Sequence, residues 1–216
     1  MSLLTTALVG LSGYVLGSLA WGYWLARIVT GTDIRRVGSA NTGAANVWRV
    51  AGFKTAVAVA LLDIGKGSLA AAVGLVVGGG TGAVVAGIGA LIGHWRPLFL
   101  RFRRGGKIVA TTVGVALVMA PLASLAVAVL WWLVLLSTRY TSVASMTGAV
   151  ALPPLVYVFG GSWAEVLFTV GAAVAILALH QANIRRLMHG TENRFTIRRP
   201  GPPRRAPTPA RDSGRP

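Results

Sequence analysis

The sequence predicts an all-α membrane protein: a polytopic helix bundle with about seven transmembrane helices, N-terminus out and C-terminus in. Three observations carry that expectation. The chain is 54% hydrophobic and 12% charged, about half the charge of an ordinary soluble domain. Uncharged runs cover residues 3–26, 67–93, 108–138, 140–164 and 166–184, and each is near or above the ~20 apolar residues that a spanning helix needs. Basic residues gather in three segments separated by neutral turns, as expected when charged loops stay on the cytoplasmic side.

The elements follow in order. The first helix, residues 3–26, precedes its basic residues Arg27, Arg35 and Arg36, and residues 1–6 contain no Lys or Arg. A signal peptide has the opposite order, so this helix is expected to be retained and to run inward. The first basic loop, 27–54, holds five of the 21 Lys and Arg residues. A second helix over 55–77 leads to the neutral turn Gly78-Gly79-Gly80, and a short third helix over 82–94 leads to the second basic segment, 95–107, with another five.

The run 108–138 must make two passes if Arg139 and the basic C-terminus are to stay inside. Pro121 is the natural break, since proline removes a helix hydrogen bond. Each half would be roughly 18–24 Å long, shorter than the ~30 Å hydrocarbon core. The alternative is one long kinked helix and six passes. The next helix, 141–159, should be broken by Pro153-Pro154 before the neutral Gly160-Gly161-Ser162, and the last, 163–188, returns. Nine basic residues follow from Arg185 onward. Residues 198–216 contain six of the ten prolines and almost nothing apolar. The chain thus divides into a membrane domain, 1–197, and a disordered Pro/Arg-rich cytoplasmic tail, 198–216.

Composition limits the chemistry. With no cysteine, disulfides, thiolate nucleophiles and Cys-ligated metals are excluded. Three histidines and five acids leave little for a metal site, and neither metal nor cofactor is expected. A net charge of +16 would suggest nucleic acid in a soluble protein. Here cytoplasmic loop charge, anionic lipid and phosphorylated ligands explain it instead.

Three polar segments could carry chemistry. The first loop reads DIRRVGSANTGAANVWRVAGFK over 33–54. Gly38 and Gly43 let backbone amides approach an anion, Ser39, Asn41 and Asn46 add neutral donors, and Arg49 adds a planar fork suited to phosphate. The plainer alternative is a cytoplasmic loop built of turn residues. The second reads GHWRPLFLRFRRGGKIVATT over 93–112. Gly105, Gly106 and Lys107 precede a new helix, a phosphate-suited geometry, although no Walker A motif is present. The third, HQANIRRLMHGTEN over 180–193, places His180 and Asn183 on one helix face; helix packing is its plainer alternative. Asp63 and Lys66 share a face as either an intramembrane functional pair or a structural ion pair. All three basic segments fall on one side of the membrane, which predicts a cytoplasmic-face site for phosphorylated ligands.

These segments resemble motifs of the acyl-phosphate-dependent glycerol-3-phosphate acyltransferase family (PlsY type) of bacterial membranes. The matching pieces, in order, are GSLAWGY from Gly17, VGSANTGAANVWR from Val37, LLDIGKG from Leu61, GHWRPLFLRFRRGGKIVAT from Gly93, TRYTSVAS from Thr138 and HQANIRRLMHGTE from His180. The resemblance implies seven helices and a cytoplasmic site in the plasma membrane. It implies transfer of an acyl chain from acyl phosphate to the 1-hydroxyl of glycerol 3-phosphate, giving lysophosphatidic acid and phosphate. Carried over by motif, Ser39, Arg49, Lys107, His180 and Asn183 would hold the reacting groups. Gly38, Asn41, Gly43, Asn46, His94, Gly105 and Gly106 would bind substrate or phosphate, and Asp63 and Lys66 would support them. The family is thought to use the donor's own phosphate as base. The HxxxxD motif of acyl-CoA enzymes is absent, because Phe99, Arg185 and Arg194 stand five residues after the histidines.

The sequence departs from the family pattern at Ala40 and Ile108, where glycine is usual, at Ala45, where threonine is usual, and by one extra residue at Arg103-Arg104. A glycine needed for positive φ is poorly replaced by isoleucine, so Lys107 is expected to be displaced. A catalytically impaired lipid- or anion-binding relative is the alternative function. An organic-phosphate transporter is a weaker one, because no inverted repeat is evident. Asp33, Asp63 and Asp212 are too few and too scattered for a CDP-alcohol phosphotransferase.

Overall fold

A computed structural model describes residues 1–196. The expected tail, 198–216, and the last residue of the expected membrane domain lie outside them. The described chain is helical throughout, with no strand. Helix α1 is Leu3–Gly17, capped by the Ser2 hydroxyl, which accepts from the Thr5 amide. Helix α2 is Trp21–Thr30. The single first helix expected from hydropathy is therefore broken, at Ser18–Ala20. Hydropathy cannot register such a break, because its unmet carbonyl is answered from elsewhere. Lys66 Nζ donates to the Leu19 carbonyl at 2.7 Å, restoring a hydrogen bond that lipid could not supply.

A turn of 3-10 helix at Ile34–Arg36 and the short α3, Ala44–Ala51, follow. Ala26, Ile34, Val47, Ala56 and Val59 join them in one apolar cluster. Helix α4, Phe53–Trp95, leaves helical geometry at Gly78 and Gly79. Added Cβ atoms on Gly74 and Gly82 would each strike the other's carbonyl. Eight residues of straight helix would separate them by about 12 Å, so α4 is a hairpin of two limbs. The expected turn at Gly78-Gly79-Gly80 is present.

Small residues draw these helices together. Gly13 and Gly17 of α1 lie directly on the backbone of Ala86 and Ala90, and Gly89 and Gly93 lie on that of Gly10 and Tyr14. Such close approach drives helix association where lipid provides no hydrophobic force. Helix α5, Val109–Met119, packs on the other limb. Gly67 meets Thr111, Gly114 meets Ile64, and Ser68 Oγ donates to the Gly114 carbonyl at 2.9 Å.

Helix α6, Pro121–Thr138, starts at the predicted break, with Ala120 at φ −141° and ψ 72°. At 11 residues, α5 is about 16 Å long. Helix α7, Thr141–Val158, passes through Pro153 and Pro154 without interruption, contrary to the expected break. Pro153 is buried, and packed neighbours make proline tolerable within a membrane helix. Helix α8, Trp163–Leu179, begins with a Ser162–Glu165 capping box, and α9, Gln181–Met188, bends away from it by 54°. Leu3–Thr30, Phe53–Leu100, α6 and α7 are each long and apolar enough to span a membrane, and α8–α9 together qualify as a bent span.

Candidate active site

Asn46 organises the first basic loop. Its Oδ1 accepts from the Ser39 amide at 2.9 Å. Its Nδ2 lies at hydrogen-bond distance from the carbonyls of Ile34, Val37 and Asn41, at 3.2, 3.1 and 2.9 Å. The side chain is 0% exposed, so Asn46, expected to bind substrate, instead holds the loop from inside. Gly38 turns here with φ 61°, and a Cβ would collide with the Asn46 amide. Asn41 Nδ2 donates to Ser39 Oγ at 2.9 Å, and Asn41 Oδ1 accepts from the Gly43 amide at 3.0 Å. Ser39 therefore keeps its own hydroxyl hydrogen free to donate, while the Gly43 amide is already engaged.

The second loop docks on the first through the Thr42 amide, which donates to the Gly105 carbonyl at 3.4 Å. The free-amide cradle expected at Gly105 and Gly106 does not form. Their amides donate to the carbonyls of Trp95 and His94, at 2.9 and 3.1 Å. The glycines are required by packing, because a Cβ on Gly106 would strike the His94 ring. His94, expected to bind substrate, is 5% exposed and has Nδ1 3.6 Å from Asp63 Oδ1. It belongs to the interior network of Asp63 and Lys66, whose ion pair is 2.8 Å long. That pair braces the α1–α2 break through Leu19. Ile108 takes φ 59° and Ala40 φ 53°, so both departures from glycine occupy positive-φ positions.

The third segment completes the rim. His180 sits at the α8–α9 bend, its Nδ1 2.8 Å from the Ile176 carbonyl. Donation there fixes the neutral tautomer and leaves Nε2 as an acceptor. Asn183 on α9 accepts from Lys107 Nζ through Oδ1 and donates from Nδ2 to Glu192 Oε1 at 2.6 Å. Lys107 thus reaches Asn183 despite the strained residue after it. Glu192 also accepts from Ser142 Oγ at 2.9 Å and from Arg186 Nε at 2.7 Å. Glu192, Ser142 and Arg186 are missed by sequence reasoning about the site. Their signal lay in the His180–Glu192 and Thr138–Ser145 motifs.

Burial raises the Glu192 carboxyl pKa, but hydrogen bonds from Asn183, Arg186 and Ser142 outweigh it and the net shift is downward. Burial lowers the Lys107 ammonium to about 8, with Glu192 opposing and Arg186, Arg104 and Arg49 assisting. Of Arg49, Lys107 and Arg186, only Arg186 has a carboxylate within salt-bridge distance among the described residues. Two cations are thus left without direct anionic partners. No cluster of three potential metal ligands exists among the described residues.

The helical bundle and its cation-rich rim define an integral membrane protein with a site suited to anions. A family model for glycerol-3-phosphate acyltransferase matches residues 7–190. Glycerol-3-phosphate acyltransferases of Synechococcus sp. (strain JA-3-3Ab) and Desulforudis audaxviator are 42% and 44% identical to this chain. They cover 89% and 92% of it, and 94% and 100% of their own lengths. The crystal structure of PlsY (YgiH), an integral membrane glycerol 3-phosphate acyltransferase, in its glycerol 3-phosphate form aligns with TM-score 0.83 and 33% identity, over 88% of this chain and 96% of that one. Its lysophosphatidic acid form aligns with TM-score 0.81 and 32% identity. The chain belongs to the glycerol-3-phosphate acyltransferase family.

Proposed function

We propose that this protein transfers an acyl chain from acyl phosphate to glycerol 3-phosphate. The observation that carries the reading is that Lys107, Asn183 and Glu192 are hydrogen-bonded in series, with Arg49 and His180 close enough to feel the charges of Lys107 and Glu192, and with Arg49 and Lys107 lacking a carboxylate within salt-bridge distance among the described residues. Both substrates are phosphate monoanions or dianions, and such a rim compensates them. The glycerol 1-hydroxyl oxygen attacks the acyl carbonyl carbon, and the bond from that carbon to the phosphate oxygen breaks. The hydroxyl proton leaves on the departing phosphate, so lysophosphatidic acid and inorganic phosphate balance the reaction without a dedicated protein base. Arg49 and Lys107 hold phosphate oxygens, the Ser39 hydroxyl donates to one of them, and His180 Nε2 accepts from a substrate hydroxyl. Asn183 positions Lys107 while Glu192 positions Asn183. Catalysis then rests on positioning and preorganised charge.

The topology belongs to the same reading: seven passes, N-terminus out, in a bacterial plasma membrane, with the rim facing the cytoplasm. The two limbs of α4 and the short α5 make the count, and the basic loops favour the orientation.

The test is acyl transfer from palmitoyl phosphate to radiolabelled glycerol 3-phosphate by purified protein in detergent, alongside Lys107→Ala and Arg49→Ala. Labelled lysophosphatidic acid from the wild type, lost in both variants, is the expected result. No product from folded wild type, with a known family member active in parallel, refutes the proposal.

A further inference from the structure

An elongated apolar groove of about 460 Å³ runs between the second limb of α4 and α8. Its walls include Ile88, Trp95, Ile108, Leu167, Gly171 and Leu179. One end adjoins the rim, since Ile108 follows Lys107 and Leu179 precedes His180 in the chain. From there the groove follows α8 into the membrane. Between Leu167 and Leu179, four small residues, Gly171, Ala172, Ala175 and Ala178, line its α8 side. A Cβ built on Gly171 meets nothing within 4 Å, so this glycine is not required by helix packing. Gly171 lies eight residues from Leu179, or about 12 Å along the helix. An extended chain advances about 1.2 Å per bond, so this is about ten carbon–carbon bonds. Leu167, another turn deeper, corresponds to about fifteen bonds.

We propose that Gly171 is a specificity-determining residue that gauges acyl-chain length. The occupant of the groove is the acyl chain of the donor and product, entered from the rim. The absence of a side chain at position 171 lets a long chain pass the midpoint. This inference rests on the acyltransferase reading above. Its distinctive content is that one position separates short donors from long ones. A side chain at 171 shortens the groove without touching Lys107, Asn183 or His180. Chains that end before it keep their full fit, and longer chains lose the deeper half.

Purified wild type, Gly171→Ala, Gly171→Leu and Gly171→Phe would be assayed with octanoyl phosphate and palmitoyl phosphate as competing donors. The larger variants should keep octanoyl transfer within about twofold and lower the palmitoyl-to-octanoyl kcat/KM ratio about tenfold or more, the discrimination typical of an apolar pocket wall. Gly171→Ala should fall between wild type and Gly171→Leu. Active variants with unchanged ratios would show that the donor chain does not pass position 171, and would overturn the gauge alone. Equal loss with both donors in both large variants would also overturn it, by making position 171 structural. Wild type inactive with both donors would overturn the acyltransferase reading and the gauge with it.

Discussion

Replacing Asn46 by alanine tests whether the first loop is held from within. Asn46 makes about three hydrogen bonds: Oδ1 accepts from the Ser39 amide, and the two Nδ2 hydrogens are shared among the Ile34, Val37 and Asn41 carbonyls. At about 1 kcal/mol each, their loss amounts to about 3 kcal/mol, or about a hundredfold in the opening equilibrium of the loop. The loop can open locally while the membrane helices stay packed. The sensitive assay is therefore trypsin cleavage after Arg35 and Arg36, followed by mass spectrometry in detergent. When reclosing outpaces cleavage, the rate tracks the open population and should rise about a hundredfold. Asn46→Asp should be at least as damaging, because an ionised carboxylate would face three carbonyl oxygens with no donor. Acyl transfer should fall in parallel, because Ser39 loses the acceptor for its amide. Cleavage within tenfold of wild type in both variants would refute the assignment of Asn46 as the internal brace.

Three further outcomes follow from the same geometry. Ile108→Gly relieves about 1–2 kcal/mol of positive-φ strain but removes a side chain packed with Leu91, Val115 and Phe168, at about 2–5 kcal/mol. A net loss near 2 kcal/mol should appear in thermal unfolding, whereas the exposed Ala40→Gly should change stability by less than about 1 kcal/mol; a more stable Ile108→Gly protein would show that strain outweighs packing. If the Lys107 ammonium holds phosphate, product formation should decline as pH rises through about 8, where that proton is lost, and a profile flat to well above that pH would contradict the role. Lys66→Met should cost about 3–5 kcal/mol by stranding Asp63 in the bundle, and the double variant Asp63→Leu/Lys66→Met should recover most of it in the same melting assay; a double variant no better than the single would mean that the Leu19 carbonyl, not the carboxylate, is what Lys66 serves.

Much of this fold could be read in the sequence because the bilayer imposes one-dimensional rules. A run of uncharged residues has nowhere to go but the membrane, and basic loops collect on one side. The Gly78-Gly79-Gly80 turn and the break at Pro121 were legible because glycine and proline act locally. Motif order located Lys107, Asn183 and His180, which the tertiary structure brings to one rim together with Arg49.

Other features depended on partners distant in sequence, and only the tertiary structure decided them. The break at Ser18–Ala20 survives because Lys66, 47 residues away, meets the Leu19 carbonyl. Helix α7 runs through its two prolines because neighbouring helices pack against it. Asn46, His94, Gly105 and Gly106 carry polar groups suited to an anion, but their groups are engaged by the Ser39 amide, the Asp63 carboxylate and the carbonyls of His94 and Trp95. Glu192 reads in the sequence as the end of a motif, and only the fold bonds it to Ser142, Asn183 and Arg186. Sequence alone determined which segments are apolar enough for a membrane and which are polar, since solvation is a property of composition. Which of those residues remain free for a ligand depends on where each hydrogen bond goes, and that required the packed chain.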